Sequence, residues 1–171
     1  MKSSKRYQYF VEGQCEQKLV TALKDQKNLI ISGKICVFNI IQEVLTPMRL
    51  RTLADNTTVI LIFDTDKKET AILEKNINIL KGIKKISDIW CVMQVENLED
   101  ELVRSTNIRE IKELLHCKSN KDFKRDFLAE KNVFGKLQDH GFNLKKLWNS
   151  VPEKPFAKYE NGGIKIKKVR G

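Results

Sequence analysis

Val59-Ile-Leu-Ile-Phe63 is the most continuous apolar run in the chain, and it ends abruptly on the acidic triplet Asp64-Thr-Asp66. A run this apolar, rich in β-branched residues, suits a strand buried on both faces, as in parallel sheets whose two sides are covered by helices. It therefore calls for further strands alternating with helices on either side of it.

Upstream, Tyr7-Gln-Tyr-Phe-Val11 forms a short β-rich run that stops at Glu12-Gly13, where glycine suits a sharp turn. From Gln14 to about Gln26, Leu19, Val20 and Leu23 fall at helical spacing. Ile35 to Ile41 is a second apolar run, followed by Thr46-Pro47, which opens a helix reaching about Ala54. Downstream, a helix is expected from near Asp66 to Leu80, capped by Asp64-Thr-Asp66, with Ile72, Ile77 and Leu80 inward and Gly82 as its stop. Ile89 to Val95 supplies a fourth strand. The alternation predicts an α/β fold, a Rossmann-like and mostly parallel sheet of about four strands with right-handed crossovers.

The pattern changes beyond Glu96. Leu98 to Ser105, Ile108 to Leu115, Lys121 to Glu130 and Leu144 to Trp148 read as helical, with no strand between them. Phe156 to Glu160 and Ile164 to Val169 flank Asn161-Gly-Gly163, the pattern of a basic hairpin, with a basic tail as the alternative. The expected division is an α/β core over residues 1–100 and a basic, mainly helical extension over 101–171 packed on that core. A length of 171 residues with 41% hydrophobic content fits one core.

Charge is placed unevenly. Of a formal net charge of +10, residues 118–171 hold 14 Lys/Arg against 6 Asp/Glu, and residues 1–117 hold 18 against 16. A basic cluster favours polyanions, because each phosphate neutralised releases condensed counterions. Cys15, Cys36, Cys91 and Cys117 show no C-x-x-C spacing, which reads as a reduced, cytoplasmic protein. His116-Cys117, with His140 the only other histidine, does not make a zinc site. Neither an export signal nor an apolar run near 20 residues is visible, so no membrane role is expected.

In open parallel sheets, ligands bind beyond the carboxyl ends of the strands. Acidic residues stand at those expected ends: Glu12 after the first strand, Asp64 and Asp66 after the central one, Glu96 after the fourth, with Glu99, Asp100 and Glu101 just beyond. Glu16 follows Glu12 by one helical turn. Carboxylates gathered at one mouth raise one another's pKa, and a bound cation relieves the conflict. Oxygen ligands without supporting histidines point to Mg²⁺ or Mn²⁺. Glu12, Asp64 and Asp66 are thus expected to form a divalent-metal site, with Glu16 and Glu96 as candidate additions and Asp100 and Glu101 at the surface. Helix capping is the competing explanation for Asp64 and Asp66.

Phe10-Val-Glu-Gly13 with Glu16, followed some fifty residues later by Ile62-Phe-Asp-Thr-Asp66, resembles the Toprim domain shared by topoisomerases, bacterial primases and nucleases of the overcoming-lysogenization-defect type. The resemblance covers about residues 6–100. It implies that Glu12 serves acid/base or metal-binding chemistry, that Asp64 and Asp66 hold Mg²⁺ for phosphoryl transfer, and that Glu16 matches a further glutamate of the nuclease branch. Topoisomerases and primases usually place a glycine soon after the aspartate pair, where this chain has Lys67, Lys68 and Glu69. What is left is similar to a standalone Toprim nuclease of the ribosomal-RNA-maturation or phage-defence kind, cutting DNA or RNA, alone or beside an ATPase or another defence or repair protein. Lys67, Lys68, Lys165, Lys167 and Lys168 are the candidate phosphate contacts. Phe156, Tyr159 and Trp148 either stack on bases or anchor the cap.

Two other readings compete. Phe63-Asp-Thr-Asp-Lys67 also resembles a haloacid-dehalogenase-type phosphatase motif, with Asp64 as nucleophile and Asp66 as general acid, although that motif usually sits on the first strand and leaves Glu12 without a role. A non-catalytic module binding nucleic acid or a protein partner is the other.

Overall fold

The computed structural model describes residues 3–168. Four strands, β1 (Arg6–Val11), β2 (Lys34–Val37), β3 (Thr57–Asp64) and β4 (Ile86–Gln94), form one all-parallel sheet in the order β2-β1-β3-β4. The apolar run lies inside β3, between β1 and β4, and every residue from Val59 to Phe63 is fully buried.

Alternation of side chains divides the core in two. One face carries Tyr9, Val11, Ile60, Ile62 and Val92 and is covered by α1 (Gln14–Thr21), α4 (Leu98–Ser105), α5 (Phe123–Ala129) and α6 (Val133–Asp139). The other carries Phe10, Val59, Leu61, Phe63 and Met93, packed against Leu50 of α2 (Pro47–Arg51), Leu73, Ile77 and Leu80 of α3 (Ala71–Lys81), and Phe156. The chain leaves β1 towards one face through α1 and leaves β3 towards the other through α3. Helices diverging on opposite faces open a crevice between the carboxyl ends of β1 and β3, the topological switch point of the sheet.

Helix one runs as expected, although α1 widens into a π-helical turn over Ala22–Gln26. The second strand stops at Val37, four residues early. Phe38 still donates its N–H to the Val11 carbonyl at 2.8 Å, but the chain then turns at Asn39 and buries Ile40 and Ile41 from a loop. The third helix starts at Ala71 instead of near Asp66, because residues 65 and 66 are tied to the end of β4: Thr65 N–H donates to the Gln94 carbonyl at 3.0 Å, and Asp66 N–H to the Glu96 carbonyl at 3.0 Å.

Leu98–Ser105 is helical as expected, and Ile108 to Leu115 yields only a 3-10 turn, Ile111–Leu114. Leu144 to Trp148 forms turns instead of a helix, and α6 had no counterpart in the sequence reading. The basic hairpin does not form among the described residues. Phe156–Lys158 is a 3-10 turn, Gly163–Ile166 is a short helix, α7, and Val169 lies outside the described residues. Asn161 bridges Cys91 on the free edge of β4, and Lys167 bridges Ile30 ahead of β2, so the segment packs across the molecule and does not fold back on itself. Gly162 is there for close approach: a Cβ would stand 3.1 Å from the Cys91 carbonyl oxygen and 3.2 Å from Trp90 Cβ.

Candidate functional site

Each acid reaches the switch point from a different element. Glu12 leaves the end of β1 half-buried, and its carboxylate accepts the Asp64 backbone N–H at 2.8 Å and the Asn39 amide at 3.3 Å. Asp64, the last residue of β3, is in register with Gln94, the last of β4. Both continue the face begun by Ile60, Ile62 and Val92, so their side chains meet: Gln94 Nε2 donates to Asp64 Oδ1 at 2.6 Å. Glu16, on α1 above this face, is buried and accepts from the same Nε2 at 3.3 Å. Gly13, which opens α1, leaves room for it, since a Cβ there would lie 3.2 Å from Glu16 Oε2.

The electrostatics follow from this gathering. Burial is the main force raising the Asp64 carboxyl, to about 8, with Glu12, Glu16 and Asp66 adding to it and the Gln94 hydrogen bond opposing. Burial likewise raises Glu12, against its hydrogen bond from Asp64 N–H and with Glu16 and Asp66 reinforcing the rise. Glu12, Glu16 and Asp64 are therefore brought together, with the exposed Asp66 within electrostatic reach of Glu12 and Asp64. Helix capping does not account for Asp64 and Asp66, because α3 begins five residues after Asp66 and its N-cap residue is Thr70.

Glu96 stands apart from that group. It is exposed, holds a left-handed backbone (φ 67°), and turns its carboxylate to Lys68 at 3.9 Å, while its carbonyl anchors Thr65 and Asp66. Thr65, fully buried, completes the clasp: its hydroxyl donates to the Gln94 carbonyl at 3.1 Å and accepts the Glu96 N–H at 3.0 Å. Glu101, expected at the surface, is instead completely buried on α4. It accepts from Val95 N–H at 3.0 Å, Trp148 N–H at 2.9 Å and Arg104 at 3.0 Å.

The five candidate lysines separate. Lys67 is exposed beside the acids, and Lys68 lies at the same loop, donating to the Thr65 carbonyl at 3.2 Å. Lys165 faces Glu160 at 3.5 Å and sits 5.7 Å above the Trp90 ring, near the middle of β4 and away from its carboxyl end. Lys168 is spent on the Asn28 side chain. Lys167 is buried with its ammonium on the carbonyls of Leu147 and Lys145, and burial lowers its pKa; it is a structural cation and offers no phosphate contact. Trp148 and Phe156 are buried core anchors, which removes them as stacking platforms.

Sequence reasoning missed Lys124, Asn39 and Gln94, and gave Trp148, named as a stacking residue or cap anchor, no part in the acid site. Lys124, on α5, pairs with Glu99 at 3.7 Å, and its ammonium pKa is raised by Glu99 first and also by Glu16 and Asp64, against burial. Nothing local in the sequence marks it. Asn39 and Trp148 reach the site only through tertiary folding. Gln94 carried a readable signal, a lone amide closing an apolar strand in phase with Val92.

Among the described residues, no three or more His, Cys, Asp or Glu side chains stand close enough together to hold a metal ion. The donor set nevertheless fits a hard divalent cation in chemistry. It is all carboxylate oxygen and partly desolvated, and Glu12 and Asp64 are pushed up by burial first and then by neighbouring acids, a cost that a cation would relieve. No protein-family model, curated protein or solved structure matches this chain. Among the described residues no helix is long and apolar enough to cross a membrane.

Proposed function

We propose that the chain is a Mg²⁺- or Mn²⁺-dependent nuclease that hydrolyses phosphodiester bonds of DNA or RNA. The observation that carries this is the convergence of Glu12, Glu16, Asp64 and Asp66 at the switch point, with the Asp64 carboxyl pushed up to about 8. With Glu16 buried, Glu12 and Asp64 half-buried and Asp66 exposed at the rim, a like-charge cluster of this kind costs stability and has no packing role, which favours a functional site. Glu12, Glu16, Asp64 and Asp66 would hold the cation, which supplies Lewis-acid polarisation of the phosphate.

The chain's own groups perform the remaining tasks. Glu12, steadied by the Asp64 N–H and Asn39, holds a carboxylate where a proton can be taken up or released. Lys124, Lys67 and Lys68 ring the same mouth and offer cations to phosphate oxygens. The excess of positive charge over residues 118–171 favours a polyanionic substrate.

The test is cleavage of single- and double-stranded DNA and RNA by the purified chain in Mg²⁺ or Mn²⁺, with Glu12→Gln and Asp64→Asn alongside. Loss of about 10³-fold or more in rate for each variant is expected, in line with removal of a principal charge-stabilising group. Cleavage indifferent to both changes would refute the assignment. Salt-sensitive binding without cleavage in either metal would favour a binding module, and turnover of a small phosphomonoester through an acyl-phosphate on Asp64 would favour a phosphatase.

A further inference from the structure

Gln94 is fully buried, and both ends of its amide are engaged. Its Oε1 accepts the Trp148 indole N–H at 3.2 Å, and its Nε2 donates to Asp64 Oδ1 at 2.6 Å and Glu16 Oε1 at 3.3 Å. An indole N–H can only donate, so the amide oxygen must face Trp148, and the NH₂ group must face the acids. Turned this way, the amide cannot offer an oxygen to a cation. It acts as a neutral double donor joining two carboxylates that would otherwise repel.

Trp148 is held firmly enough to impose that orientation. Its own N–H donates to Glu101 Oε2 at 2.9 Å, and its carbonyl accepts from Asn161 Nδ2 at 3.2 Å. Its backbone is left-handed at φ 53°, a conformation that strains a bulky residue and persists only where surrounding contacts enforce it. The indole is 1% exposed. The contacts thus run unbroken from Glu101 and Asn161 through Trp148 and Gln94 to Asp64 and Glu16.

We propose that Gln94 is a positioning residue that latches Asp64 to Glu16 in the cation-free protein, with Trp148 fixing the latch and sensing its release when a divalent cation takes over those carboxylates. The latch rests on the cation-binding part of the nuclease reading and extends it. Cation entry competes with the two amide hydrogen bonds, and the change in that amide is transmitted to the one ring its oxygen touches.

The chain has two tryptophans, so Trp90→Phe leaves Trp148 as the sole indole fluorophore. In that background, Mg²⁺ titration should change Trp148 emission saturably, with a midpoint matching Mg²⁺ binding by calorimetry. Adding Gln94→Met removes the competing amide, so it should leave binding as tight or tighter and silence the emission response. Gln94→Glu keeps an acceptor for Trp148 but presents an oxygen to the site, and it should tighten Mn²⁺ binding at least tenfold. A merely structural amide would not couple Trp148 emission to cation binding, and so would not lose that coupling in Gln94→Met.

Cation binding with unchanged Trp148 emission in the Trp90→Phe protein would overturn the latch, as would a Gln94→Met protein that binds the cation more weakly than the parent. Absence of Mn²⁺ binding in every variant would overturn the latch and the nuclease together. Binding with the expected emission change but no cleavage would sustain the latch and sink the nuclease alone.

Discussion

Replacing Asp64 with asparagine should stabilise the cation-free protein at pH 8 and leave it unchanged near pH 4. The carboxyl has an ordinary value of 3.8 and is pushed up to about 8 in the fold, chiefly by burial and by Glu12 and Glu16. A folded-state pKa above the unfolded one means that the neutral form belongs to the folded state. Its stabilising effect is complete below pH 3.8 and is lost as pH rises through about 8. At about 1.4 kcal/mol per tenfold change in proton affinity, the full displacement corresponds to ~6 kcal/mol, which water reaching the half-buried carboxyl reduces. A gain of ~2–5 kcal/mol is therefore expected for Asp64→Asn at pH 8, a large part of the stability of an ordinary domain. Asparagine keeps an oxygen for the Gln94 amide, so the 2.6 Å contact survives. The assay is urea unfolding in EDTA from pH 4 to 9, reading the difference between parent and variant so that other titrations cancel. A difference that stays at zero, or in which asparagine destabilises at pH 8, would refute the account of the acid cluster.

Glu101→Ala should cost ~3–5 kcal/mol, because it strips the acceptor from Val95 N–H, Trp148 N–H and Arg104 at once; thermal unfolding measures this. Ile62→Ala, in the fully buried run of β3, should cost ~2–5 kcal/mol by the same measurement. In binding to a short DNA or RNA, Lys67→Ala and Lys124→Ala should each lower the salt slope by ~0.7–0.9. Lys167→Ala should leave that slope unchanged and lower the melting temperature, since its ammonium is bound to internal carbonyls.

The parts of the fold that were legible in the sequence are those set by local pattern. Val59 to Phe63 is apolar on both alternating positions and rich in β-branched residues, which suits a strand covered on both faces; Leu98 to Ser105 carries a helical stripe. What failed was decided by distant partners. Asn161-Gly-Gly163 has the composition of a turn, yet its amide is spent on the Trp148 and Ser150 carbonyls and its glycines serve close packing. Lys167 reads as a free cation in any window that omits Leu147. At the candidate site, Glu12, Asp64 and Asp66 were legible because strand ends can be read, and Glu16 because it follows by one helical turn. Gln94, the residue that touches two of the acids, was passed over for Glu96, whose carboxylate turns to Lys68.

The latch joins residues far apart in the chain, and this sets an order of events during synthesis. At ~5–20 residues per second, Gln94 leaves the ribosome several seconds before Trp148 does. Glu12, Glu16 and Asp64 precede both, so a nascent chain can pair β1, β3 and β4 while the amide at their mouth is still free to turn either way. Only when Trp148 docks beneath Glu101, with Asn161 following, is the orientation chosen. A ribosome stalled between Gln94 and Trp148 should therefore display a sheet with its acids assembled and its amide oxygen available, a species chemically distinct from the finished protein.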